Sequence, residues 1–142
     1  VFGTIVVGAD DSPTAMRAVE QALEFAKQSG GTVHFVTAYT PKPPGSSADI
    51  PDEFRYAMGS DFAAEDLLKQ LAAMARAQEV PCETHPATGD PVDALLDTAE
   101  KVGADLIVVG NKGMKGARRV LGSVPNSVAH KATCAVLILP TS

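Results

Sequence analysis

The residues best equipped for chemistry lie between Gly110 and Ser123, a segment that reads Gly-Asn-Lys-Gly-Met-Lys-Gly-Ala-Arg-Arg-Val-Leu-Gly-Ser. The chemistry they suit is anion binding. Glycine lets the backbone turn through positive φ and approach a ligand, and the free amides of a helix start, at the positive end of its dipole, favour a phosphate. Three features coincide here: a Gly-x-x-Gly (Gly110, Gly113) where an apolar run ends, four cations (Lys112, Lys115, Arg118, Arg119), and Gly122-Ser123 ahead of a short helical stretch. Gly122 leaves room for a phosphate, while Ser123 offers a hydroxyl and an N–H, to the ligand, as a helix cap, or as both. A glycine pair alone is ordinary loop punctuation; the coincidence of all three favours a phosphate cradle.

Asp10 and Asp11 follow the first apolar run and form the second constellation. Paired acids there could hold a magnesium ion, as in a phosphate-accepting receiver domain, or cap the helix that follows. A receiver needs an aspartate after its third strand and a lysine after its fifth; this chain has Ala87-Thr88 and Pro140. Neither Gly-x-Gly-x-x-Gly after the first strand nor a Walker A segment occurs, which argues against a dinucleotide module or a P-loop. His34, His85 and His130 share no metal-ligand spacing, and no Ser or Cys has a nucleophile-elbow context. All three histidines are therefore read as satisfied or solvated side chains. Met16, Met58 and Met74 read as fillers, and Met114 as a side chain that could pack on a nucleoside.

These groups need elements to position them. Phe2 to Gly8, Thr32 to Ala38, Ala104 to Val109 and Cys134 to Leu139 are short runs rich in β-branched and apolar residues, the pattern of strands buried on both faces. Val80 to Pro86 is a weaker strand candidate because of its prolines. Between them, Pro13 to Ser29 carries Ala15, Ala18, Val19, Ala22, Leu23 and Ala26 at helical spacing, opened by Ser12-Pro13 and closed by Gly30-Gly31. Asp61 to Gln78 and Pro91 to Val102 fit two further helices. Strands alternating with helices predict an α/β fold: one doubly wound domain over residues 1–142, a five-stranded parallel sheet with helices on both faces. Ligands of such sheets lie beyond the carboxyl ends of the strands, where the crossovers change face. Asp10-Asp11, Ala38 to Thr40 and Gly110 to Gly113 all leave strands at that edge. Tyr39 to Gly59, with four prolines, is the one long irregular connection.

Read in order, these pieces resemble the universal stress protein family. The likeness spans nearly the whole chain: Ile5-Val6-Val7-Gly8-Ala9-Asp10-Asp11-Ser12, Gly89-Asp90-Pro91, Ala104 to Gly110, the glycine segment, and Cys134 to Pro140. The segment is similar to the family's nucleotide pattern, glycine, two residues, glycine, nine residues, then Gly-Ser or Gly-Thr. The resemblance implies a Rossmann-like domain that binds an adenine nucleotide, ATP first, with AMP or cyclic AMP as alternatives and Mg2+ through the phosphates. It implies that Asp10 meets the adenine or ribose side, that Ala38 supplies backbone contacts to the base, and that Val109, Gly110 and Gly113 line the ribose and phosphate path. Gly122, Ser123 and Val124 would hold the phosphates, with Ala9, Asn111 and Arg118 in the same binding set. Two departures stand out: eight residues separate Gly113 from Gly122, and Asp11 occupies a position that is commonly glycine. That second carboxylate would repel a triphosphate or share a metal with it.

The chain has 142 residues, 45% of them hydrophobic and 20% charged, and a formal charge of −5, a balance that argues against nucleic acid or an anionic membrane as the partner. No apolar run approaches the roughly 20 residues of a membrane span, and no secretory pattern opens the sequence, so a cytoplasmic location is expected. Cys82 and Cys134 read as buried free thiols, with a disulfide the lesser alternative. The apolar last strand, if left at the sheet edge, invites pairing with a second copy, and the resemblance implies that same homodimer. The expected function is a stress-response switch worked by nucleotide binding, with turnover slow or absent. The alternatives are a slow ATPase or phosphoryl or adenylyl transferase, and a nucleotide-free interaction protein of the same family.

Overall fold

A computed structural model describes residues 2–9, 13–39, 60–110 and 123–139. The elements run β1 (Thr4–Gly8), α1 (Pro13–Ser29), β2 (Thr32–Tyr39), α2 (Ser60–Ala77), β3 (Cys82–Thr88), α3 (Pro91–Val102), β4 (Leu106–Gly110), α4 (Ser123–Lys131) and β5 (Ala135–Leu139). All four strand pairings are parallel, in the order β3-β2-β1-β4-β5. The predicted doubly wound α/β sheet is therefore the observed fold.

Alternation along the strands divides the core in two. Ile5 and Val7 of β1, Val33 and Phe35 of β2, and Leu106 and Val108 of β4 pack with Val19, Leu23, Leu68 and Leu71 of α1 and α2. Val6, Val36, Ile107 and Val109 point the other way, into α3 and α4 through Leu95, Val124 and Val128. A strand covered on both faces has no polar side to present, which is why β1 and β4 are unbroken apolar runs, Ile-Val-Val and Leu-Ile-Val-Val. The expected stripe of α1, Ala15 to Ala26, is buried throughout. On α3, Val92, Leu95 and Ala99 are buried as expected, whereas Leu96 is half-buried and Ala94 and Thr98 take inner positions.

Backbone punctuation sets the ends. α3 begins at Pro91 and stops at Gly103, whose φ of 69° is the left-handed conformation that closes a helix, with Ala104 N–H bonded to the Ala99 carbonyl at 2.9 Å. The turn that follows α2 passes through Glu79, which adopts φ 60° without being glycine. Asp105 ties the sheet together ahead of β4, its Oδ2 accepting from Gly3 N–H at 3.0 Å and Thr4 N–H at 3.1 Å.

The weaker strand differs from expectation. β3 runs over Cys82–Thr88 and includes Pro86 within it. Val33 N–H donates to the Pro81 carbonyl and Gly89 N–H to the Tyr39 carbonyl, a phase in which odd-numbered β3 residues bond to β2 and even-numbered ones face outward. Pro86 lies on that outer edge, where its missing N–H costs no ladder bond. Cys82 and Cys134 are free, as expected, but half-buried rather than buried; they flank opposite edges of the sheet, about 19 Å apart at the usual strand spacing. Burial pushes both thiols up, with Glu83 adding at Cys82 against Arg76, and Asp105 adding at Cys134.

Candidate functional site

The site is built at the carboxyl edge, where β1 and β4 part. β1 pairs with β2 over five residues, up to Gly8 opposite Val36, and Ala9 N–H continues the bonding to the Val36 carbonyl at 3.0 Å. β4 pairs with β5 over five residues, up to Gly110 opposite Leu139. Between β1 and β4 the register stops early, at Val7 opposite Val108. The last residues of β1 thus follow β2 and those of β4 follow β5, and the point where they part is where a sheet of this kind holds its ligand cleft. Its position is the switch point: α1 and α2 pack on one face, α3 and α4 on the other.

The mouth of this cleft is lined by backbone rather than by bulk. Gly8 and fully buried Ala9 end β1, half-buried Ala38 sits near the end of β2, and Gly110 ends β4. Gly8 also answers to packing, since a Cβ there would come within 2.9 Å of Leu95 Cδ2. Val109 is buried against α3 and α4. α4 begins at Ser123, and the amides of its first turn have no acceptor within the helix. Pro125 lacks an amide, which leaves Ser123, Val124 and Asn126 as the donors there; Val124 buries its side chain beneath them. An anion seated at this end would meet N–H groups and the positive end of the helix dipole. Small residues at three strand ends fit a flat base and a sugar, and the start of α4 fits a phosphate.

Of the residues expected at the site, the structure brings Ala9, Ala38, Val109, Gly110, Ser123 and Val124 to this edge. Asp10, Asp11, Asn111, Gly113, Arg118 and Gly122 lie outside the described residues, as do the loop at 40–59, Met58, Met114 and the cations at 112, 115 and 119.

His34 and His85 are satisfied side chains, as expected, but they satisfy each other, which their sequence spacing does not show: His34 Nδ1 and His85 Nε2 are hydrogen-bonded at 3.0 Å, and Glu83 Oε1 stands 3.7 Å from the first and 3.9 Å from the second. Register is the cause. Glu83 lies opposite His34 and His85 opposite Val36, so all three side chains leave the same face of β2 and β3. Burial lowers the pKa of His34 against the opposing pull of Glu83. His85 is lowered by burial first and then by His34, with Glu83 opposing and Lys101 adding. The sequence carried half of the signal: Glu83-x-His85 is a same-face pair in any strand. His34 is 51 residues away, and only the pairing of β2 with β3 brings it in.

Comparison with known proteins gives a consistent picture. The model of the universal stress protein family matches residues 2–140. Universal stress protein Rv1636 of Mycobacterium tuberculosis is 38% identical over 146 residues, covering 99% of this chain and 98% of its own. A crystal structure of a universal stress protein in complex with cAMP is 39% identical and superposes with a TM-score of 0.76, covering 99% of both chains. The universal stress protein of Archaeoglobus fulgidus in complex with dAMP is 26% identical at a TM-score of 0.70, covering 97% of this chain and 98% of its own.

Proposed function

The chain belongs to the universal stress protein family, and on that premise we propose that it binds an adenine nucleotide in the cleft between β1 and β4. The carrying observation is the early end of the β1–β4 register, which leaves a backbone-lined opening next to the start of α4. In this reading the base lies against the ends of β1 and β2, at Ala9, Asp10 and the Ala38 backbone. Val109 and Gly110 flank the ribose. Gly113, Gly122, Ser123 and Val124 offer amides to the phosphate, with Asn111 and Arg118 at its side.

A single phosphate is the form we favour, AMP or cyclic AMP. The related structures at 39% and 26% identity hold cAMP and dAMP, and the span from Gly113 to Gly122 is one residue shorter than the family pattern. The second reading is ATP with Mg2+, supported by the four cations of the glycine segment and by Asp11, which could share the metal with the phosphates. We read the nucleotide as a signal, not a substrate, in a cytoplasmic stress-response protein that works as a homodimer joined through β5.

Calorimetry on nucleotide-free protein tests the binding. One site per chain is expected, with AMP or cyclic AMP at least tenfold tighter than ATP. ATP–Mg2+ binding tighter than both would select the second reading, and no heat or retention with any of the three would overturn the assignment. Gly122→Val is expected to weaken binding at least tenfold with an unchanged unfolding midpoint, because in this reading a side chain at that position would block the phosphate.

A further inference from the structure

We propose that His34, Glu83 and His85 form a three-ligand site for a divalent transition metal, Zn2+ first, with solvent in the fourth position. The same three atoms define every edge of the cluster: His34 Nδ1 to His85 Nε2 at 3.0 Å, and Glu83 Oε1 to each at 3.7 and 3.9 Å. The centre of the circle through these atoms is about 2.1 Å from each, which is the length of a Zn–N or Zn–O bond. Because the two nitrogens now face each other across a hydrogen bond, both rings must turn to aim their lone pairs at an ion near that centre. Two neutral imidazoles and one carboxylate are donors of the borderline type that Zn2+ prefers over Mg2+ or Ca2+.

The metal would take the place of the proton between the two rings, and that proton moves to the far nitrogen of the ring that now donates it, so that each ring binds as a neutral imidazole with its one hydrogen on the nitrogen away from the ion. His34 and His85 are 9% and 16% exposed at their side chains, and Glu83 is 65% exposed. The site therefore has two seated ligands and one open side through which an ion can enter. Cys82 is not a ligand, because it packs into the core on the opposite face of the sheet. Nor is this the nucleotide site: His34 precedes Ala38 by four residues of strand, about 13 Å. Its effect would be to clip edge strand β3 to β2.

Untagged, chelator-treated protein titrated with ZnCl2 in the absence of nucleotide tests the proposal. One equivalent per chain is expected to bind in the micromolar range or tighter, and Co2+ in its place is expected to give the strong visible bands of a four-coordinate ion. His85→Gln and Glu83→Gln, at positions less buried than His34, are expected to lose at least tenfold in affinity while keeping the circular dichroism of the parent. His130→Gln, at an exposed position of α4, is expected to change nothing, and Lys101→Gln to tighten binding, since Lys101 is a cation that bears on His85. Zn2+ is expected to raise the unfolding midpoint of the parent and not of His85→Gln. Absence of stoichiometric uptake, or uptake that His85→Gln and Glu83→Gln leave intact, would overturn the site.

Discussion

At the scale of single residues, the histidine pair shows what sequence order conceals. Burial holds the pKa of both rings below the ordinary value near 6.5. The sign follows from linkage: above that value both rings are neutral in folded and unfolded chains, so they add no pH dependence. As the pH falls below about 6.5 the unfolded chain takes up protons first, and stability is lost. In metal-free protein, urea midpoints are expected to drop between pH 7.5 and 5.5, and the drop is expected to shrink in a His34→Gln/His85→Gln variant. An equal drop in that variant would assign the effect to other groups. The pair went unread because a hydrogen bond between residues 51 apart depends on strand register, which no local spacing encodes. The glycine segment is read by the opposite route: its glycines, cations and serine are close together in sequence, so the reading calls on no partner from elsewhere in the chain.

At the scale of elements, helix bounds were readable where proline and glycine mark them. Pro13 and Pro91 open helices at the first turn, and Gly30 and Gly103, with φ of 74° and 69°, follow their ends. α2 has no such stop. Its closing turn passes through Glu79 in the left-handed region, at a cost of about 1–2 kcal/mol for a residue with a Cβ. Glu79 is exposed, so Glu79→Gly removes that cost and gives up only backbone entropy. The variant is expected to be more stable by about 0.5–1 kcal/mol, read as a higher urea midpoint at unchanged slope. A lower midpoint would mean that the turn is held by more than its dihedral. β3 lies two residues further on than the expected Val80 to Pro86 for a related reason: proline reads as a strand breaker until the strand is known to lie at an edge with that residue facing out.

At the scale of the whole molecule, the two margins of the sheet differ in kind. β3 carries Pro86 and exposed Glu83, two features that discourage another strand from pairing there. β5 reads Ala-Val-Leu-Ile-Leu, with no charge and no proline, and Ile138 is 40% exposed. This contrast supports the homodimer proposed through β5. Light scattering is expected to give twice the chain mass for the parent and the single mass for an Ile138→Lys variant that keeps its secondary structure; a parent of single mass would exclude the pairing.

Proline in the outer row of β3 also bears on how large an assembly can grow. Two copies joined along β5 would form a ten-stranded sheet whose only free borders are both β3, each missing a donor where a newcomer would dock. Growth by strand addition would therefore be discouraged beyond two, and a protein with a bare apolar border would be guarded against fibre formation by a proline and a glutamate on its far side.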